Sequence, residues 1–145
     1  MELDDFIKAN TVVESAPLVP EIRLHLATEL TPLWHATESY LNQSNIGAPF
    51  WAFAWIGGQA LARFILDEPD AIAGLHVVVC YTRGESEDLT DHLRKAAAPV
   101  LFGDPGRQFM PREGIRQVAT YSVETSQEIE ANPITEASVW RMVGL

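Results

Sequence analysis

The stretch PFWAFAWIGGQALARF, Pro49 to Phe64, places four aromatic side chains directly ahead of a double glycine and a helix-like run. Core packing alone does not call for that order. Aromatic rings supply flat contact area, and Gly57-Gly58 let backbone come close to another group. The segment reads as the front wall of a binding site, followed by a helix over Gly57 to Asp67. Leu61, Phe64 and Ile65 lie on one side of that helix, and Pro69 and Gly74 end it.

Working outward toward the N-terminus, residues 1–15 read as a polar-leading segment with one helical turn around Phe6-Ile7. Pro20 suits a first helical turn, and Ile22, Leu26 and Leu30 follow at spacing four, predicting a helix there. Thr31-Pro32 restarts it, a capping hydroxyl before a proline. Leu33, Tyr40 and Leu41 carry the second helix to about Asn42, and a loop reaches Pro49. Residues 1–74 are thus expected to be mainly helical.

Toward the C-terminus the texture changes. Leu75 to Tyr81 (LHVVVCY) is short, β-branched and apolar, as in a strand covered on both faces. Glu85 to Ala98 reads as a helix, with Ser86 as cap and Glu87 and Asp88 at the positive end of its dipole. Pro99 stops it. Val100-Leu101-Phe102 forms a second strand, and Gly103 to Arg107 turn the chain. Strand, helix, strand is a βαβ unit with parallel strands. Pro111 opens a short helix through Ile115 and Val118. Ala119 to Glu124 and Ala137 to Met142 predict an antiparallel strand pair joined by a polar, acidic loop, Thr125 to Glu136. The fold class expected is α/β, with N-terminal helices packed on a small mixed sheet. Residues 75–145 supply a half-sheet, and 145 residues suit a single domain.

Composition narrows the function. A formal net charge of −10 is poorly suited to neutralising phosphates, so no nucleic-acid partner is expected. No apolar run approaches the ~18 residues of a membrane span. The acidic start Met1-Glu2-Leu3-Asp4-Asp5 lacks the basic region of a secretory signal, and Cys80 is the sole cysteine. A cytoplasmic location follows as the expectation, with Cys80 as a buried thiol. His25, His35, His76 and His92 show no metal-ligand spacing and read as structural or exposed. No metal site is expected.

Several of these residues resemble one family. Val19 to Leu26 (VPEIRLHL), then Trp34 and Glu38, then PFWAFAWIGGQALARF, are similar to the start of the lysine methyltransferases of electron-transfer-flavoprotein β subunit. Val100 to Arg107 (VLFGDPGR) with Met110-Pro111 resembles that family's strand and loop before its final hairpin. Ala119-Thr120-Tyr121 with Val139-Trp140-Arg141 resembles the hairpin itself. The resemblance implies a class I, Rossmann-like fold that binds S-adenosylmethionine and methylates protein lysines, here in shortened form. The family's middle is missing. Between Gly74 and Glu85 there is neither its glycine-rich turn nor the acid that holds the ribose. Tyr81 fits an aromatic position after the family's fourth strand, and Val78 stands where its acid belongs. Family order would place residues 75–81 beside 100–102, then 137–142, then 119–124, with 137–142 antiparallel to its neighbours.

The resemblance also assigns candidate residues. Trp55, Gly57 and Gly58 would face the cofactor; Trp51, Gln59, Asp104 and Arg107 would face substrate; Tyr81 would stand near a target amine. Each has a plainer alternative. The aromatics and glycines equally pack the helical layer onto the sheet, Asp104 to Arg107 equally form a tight turn, and Tyr81 equally ends a strand. The implied activity is S-adenosylmethionine-dependent protein-lysine methyl transfer, impaired or absent in this chain alone. The implied partner is a protein such as electron-transfer flavoprotein β subunit. The other reading is a non-catalytic remnant that binds protein or self-associates through the open strand edge at 75–81.

Overall fold

The computed structural model describes residues 2–43, 49–73, 100–106, 113–125 and 134–143. Among them lie three α-helices and two antiparallel sheets, a mixed α/β arrangement. Helix α1 spans Leu3–Asn10, strand β1 Val12–Ala16 and strand β2 Val19–Leu26. Helix α2 spans Leu30–Leu41 and α3 Ile56–Asp67. Strands β3 (Leu101–Asp104), β4 (Ile115–Glu124) and β5 (Ile134–Met142) complete the order. The strand, helix and parallel pairing expected over residues 75–98 lie outside the described residues, as do Cys80, His76 and His92.

Helix α3 places Ile56, Ala60, Leu61 and Phe64 on one face, the i, i+4, i+5, i+8 pattern of a helix that buries a stripe. That stripe meets Leu101, Val123, Ala137 and Val139 from the C-terminal sheet. The sheet runs β3-β5-β4, with β5 antiparallel to both neighbours, the order expected for these three strands. Its other face is apolar too: Val100, Phe102 and Met142 are buried beside Ile115 and Trp140. At the N-terminal end Phe6, Leu33, Ala52 and Phe53 form a second cluster, with the Phe6 and Tyr40 rings stacked at 4.4 Å.

Two expectations are corrected. Residues 19–26 form no helix; they pair with 12–16 as a hairpin whose register slips between Ser15 and Ala16. Ile22 and Leu26 are four apart, which puts them on one face of a helix and equally on one face of a strand. Leu24 between them, also apolar, selects the strand period. The N-terminal segment 1–15 likewise yields a full helix and a strand where one turn was expected. Second, Ile115 and Val118 belong to β4. The ladder shifts between Gln117 and Ala119, and this bulge leaves the consecutive residues Val118 and Ala119 on the same face, toward α3, while Ile115 lies on the other. A spacing of three that looks helical is here two residues on opposite faces of a strand, each face meeting its own apolar cluster. Both described sheets are antiparallel; the parallel strand over 75–81 that would make the sheet a mixed one lies outside the described residues.

Candidate functional site

The aromatic stretch divides by exposure. Phe50–Ala52 make one turn of 3₁₀ helix, and Ala52 and Phe53 turn inward to the N-terminal cluster. The Ala52 carbonyl accepts from Ala27 N–H at 2.9 Å, which ties the stretch to the end of β2. Trp51 points out, 52% exposed. Trp55 caps α3 with an extended backbone, and its indole Nε1 donates to the Phe50 carbonyl at 2.8 Å. The Phe50 ring stands edge-on to Trp55 at 5.3 Å, with Phe53 at 6.1 Å on another side. Three of the four aromatics therefore hold one another, and Trp51 is left facing water.

The double glycine also divides. Gly57 and Gly103 both have ordinary, negative-φ backbone, since the left-handed glycines among the described residues are Gly106 and Gly114. Their lack of a side chain answers to space instead. A Cβ built on Gly57 would stand 2.5 Å from the Gly103 carbonyl oxygen, and one built on Gly103 would strike the Gly57 carbonyl closer still. Pro105 Cδ lies 3.5 Å from the Gly57 position. The start of α3 and the end of β3 thus touch backbone to backbone. Gly58 differs: a Cβ there would meet nothing within 4 Å, and the residue is exposed.

Gln59 was expected to face substrate. It is 6% exposed. Its Nε2 donates to the Ala54 carbonyl at 2.6 Å and its Oε1 accepts from Leu18 N–H at 3.3 Å. Both ends of the amide are used inside the molecule, joining the hairpin tip to the aromatic stretch. Asp104 Oδ1 accepts from Gly106 N–H at 3.0 Å, and Gly106 adopts φ 79°, a left-handed conformation natural to glycine. Asp104 therefore builds the turn that follows β3. Tyr81 and Arg107 lie outside the described residues. Of the remaining candidates, the fold brings Trp55, Gly57, Gly58, Asp104 and the Pro105-Gly106 turn to one end of α3, and leaves Trp51 exposed beside them.

A polar junction that sequence reasoning missed centres on Arg63. Its guanidinium donates to Glu21 at 2.7 Å, to Asp67 at 2.7 and 3.0 Å, and to the Leu18 carbonyl at 3.3 Å. The Asp67 half was readable as an i, i+4 pair on a helix. The Glu21 half joins residues 42 apart in sequence and has no local signal. The hydrogen bond from Arg63 holds the Glu21 carboxyl below the usual carboxylate range, and the Glu21 and Asp67 bonds push the Arg63 pKa up. Burial, and after it the charge of Asp67, pushes the Tyr121 phenol up. His25 Nδ1 shares a hydrogen bond with Thr11 Oγ1 at 2.9 Å, and His35 stands 3.8 Å from Glu38. Among the described residues no cluster of His, Cys, Asp or Glu could hold a metal ion. No described helix is long and apolar enough to cross a membrane.

Three curated relatives show what the chain is similar to. A Caenorhabditis elegans protein named electron transfer flavoprotein beta subunit lysine methyltransferase homolog is 45% identical over 69 residues, 48% of this chain and 27% of its own. The Xenopus laevis protein named electron transfer flavoprotein beta subunit lysine methyltransferase is 42% identical over 73 residues, 50% and 28% of the two chains. The Homo sapiens protein of that name is 40% identical over 78 residues, 53% and 29%. The chain spans less than a third of the length of the relatives it matches. No family model and no solved structure matches it. Over about half of its own length, the chain is related to proteins named as lysine methyltransferases.

Proposed function

We propose that this chain is a single-domain, methyltransferase-related protein that retains one wall of an S-adenosylmethionine site without the parts that hold the cofactor. The observation that carries this reading is the meeting of the α3 start with the β3 end through Gly57 and Gly103. Two stretches far apart in sequence, each resembling the lysine methyltransferases, come together there, and the likeness to proteins so named supports it. Gly58 strengthens the case. Neither backbone conformation nor space demands glycine there, and alanine in a helix is favoured by about 0.5–1 kcal/mol. An open backbone of that kind, beside the Trp55 ring, is a surface for a ligand.

The residues present do not fit the whole cofactor. The carboxylate at this end of the fold, Asp104, is engaged with the Gly106 N–H in its own turn. The stretch between Gly74 and Glu85 carries no glycine-rich run and no acid to take the ribose hydroxyls. If the missing parts were supplied, Trp51 would offer an aromatic face to a methylated ammonium. Tyr81, Arg107 and Asp104 would stand on the substrate side.

The second reading is a non-catalytic protein-binding module, and the hairpin favours it. Val12, Val13, Ile22 and Leu24 are all exposed large apolar side chains on one two-stranded ribbon. The partner proposed is the substrate named for the relatives, electron transfer flavoprotein β subunit. Incubation with that subunit and methyl-labelled S-adenosylmethionine tests both readings. No label on the subunit, with a measurable complex by calorimetry, is the result expected of a retained wall and a binding surface. Label transferred at a rate above the no-protein control contradicts the loss of activity.

A further inference from the structure

We infer that Gly103 is a positioning residue for the candidate site. Its bare backbone against Gly57 sets the start of α3, and with it Trp55 and Gly58, in register with the Asp104–Gly106 turn. The functional consequence rests on the reading of that end as a methyltransferase wall; the contact itself does not.

Three observations converge. Neither glycine has a backbone conformation that excludes other residues, so conformational freedom does not explain them. Each would place a Cβ inside the other's carbonyl group, and the obstructing atoms are backbone, which cannot rotate away as a side-chain tip can. The neighbours on both sides are fixed. Trp55 is pinned through its indole N–H to Phe50, and Asp104 is pinned through its carboxylate to Gly106. Beyond the glycines, Ile56, Ala60 and Leu61 are seated on Leu101, Ala137 and Val139, so α3 cannot slide without unpacking the core. A side chain at position 103 therefore has one outlet: it lifts the first turn of α3 away from β3. Trp55, as the residue capping that turn, moves with it. Gly58, with open space around it, is not part of the contact.

The prediction is specific to a pair of positions 46 apart in number but in direct contact. In the unmodified 145-residue chain, selectively glycine-labelled, a nuclear Overhauser contact between the Gly57 and Gly103 α-protons is expected. Its absence overturns the inference, whether or not any variant folds. Gly57→Ala and Gly103→Ala are each expected to lower Tm by at least ~5 °C. The double variant should lose much less than the sum, since one lift serves both side chains. Gly58→Ala should leave Tm unchanged or raised. Additive losses overturn the inference. A readout that general loosening would not produce is the fluorine spectrum of the chain labelled with 5-fluorotryptophan. Gly103→Ala should move the Trp55 resonance while Trp34 and Trp140 stay in place. A stationary Trp55 line, or equal movement of all lines, overturns it. Failure of the cofactor reading would leave the α-proton contact and the fluorine shift untouched, so the two failures are distinguishable.

Discussion

Strand β5 runs nine residues and β2 eight, and both mix β-branched and aliphatic side chains with charged ones. They meet opposite fates. In β5, Ala137 and Val139 are 0% exposed and Met142 is buried, with α3 over one face and a second apolar cluster on the other. In β2 only Val19 is buried, and Ile22 and Leu24 stand in water. Pairing alone does not decide stability: a two-stranded ribbon without cover is marginal in water. What holds the β1–β2 hairpin is its ends. At the tip Ala16 and Val19 are buried, Leu18 packs on the α3 cluster, and Gln59 and Arg63 take the Leu18 backbone groups. At the other end Ala27 bonds the Ala52 carbonyl. The covered sheet carries the fold, and the hairpin is a ribbon strung between two anchors.

The largest effect expected from this contrast is a pair of truncations. Leu61→Ala, in the core between α3 and the sheet, should cost about 2–5 kcal/mol in denaturant unfolding. Leu24→Ala, on the ribbon, should stay within about 0.5 kcal/mol. Equal costs would break the comparison. Next comes the anchor. Gln59→Leu removes both bonds of a buried amide and strands the Leu18 N–H and the Ala54 carbonyl, at about 1–3 kcal/mol. Hydrogen exchange should speed up in residues 12–26 while β5 amides remain protected; uniform acceleration would mean that the hairpin does not open separately. The smallest effect is acidic. Because Arg63 holds the Glu21 pKa down in the folded chain, the pair stabilises above the ordinary carboxylate range and loses that contribution as pH falls through the folded pKa. Thermal unfolding of Glu21→Gln against the parent chain should show a small deficit at neutral pH that closes under acid. A deficit that grows under acid would reverse the sign.

Much of the covered half was legible, and the reasons are physical. Helix α3 announces itself through one apolar stripe and a proline after it. Helix α2 was legible in Leu33, Tyr40 and Leu41, but it starts earlier than Thr31-Pro32 suggested, at Leu30 with Glu29 in the cap position, and it ends at Asn42, whose left-handed backbone (φ 50°) closes it. The pairing and order of β3, β5 and β4 were read from alternation and from family resemblance together. The hairpin was misread because a spacing of four between Ile22 and Leu26 satisfies helix and strand alike. The first part of β4 was misread because both faces of its sheet are apolar, so Ile115 and Val118, three apart and on opposite faces, mimic a helical spacing. At the candidate site, the glycines at 57 and 58 were visible as an oddity, but their separate meanings were not. What distinguishes them is Gly103, a residue of another element, and no local pattern points to it. Gln59 looked available for a ligand because its two bonding partners, Ala54 and Leu18, lie outside its own helix.

The central claim is a wall without a cofactor grip, and a thermal-shift titration of the intact chain with S-adenosylmethionine tests it most directly. A ligand at 100 times its Kd stabilises the folded state by about 2.7 kcal/mol. For a chain near this size that corresponds to a rise in Tm of roughly 5–10 °C. The account predicts a flat titration through millimolar ligand. A saturable rise of several degrees would contradict it and would show that this chain holds the cofactor by means other than a glycine-rich turn and a ribose acid.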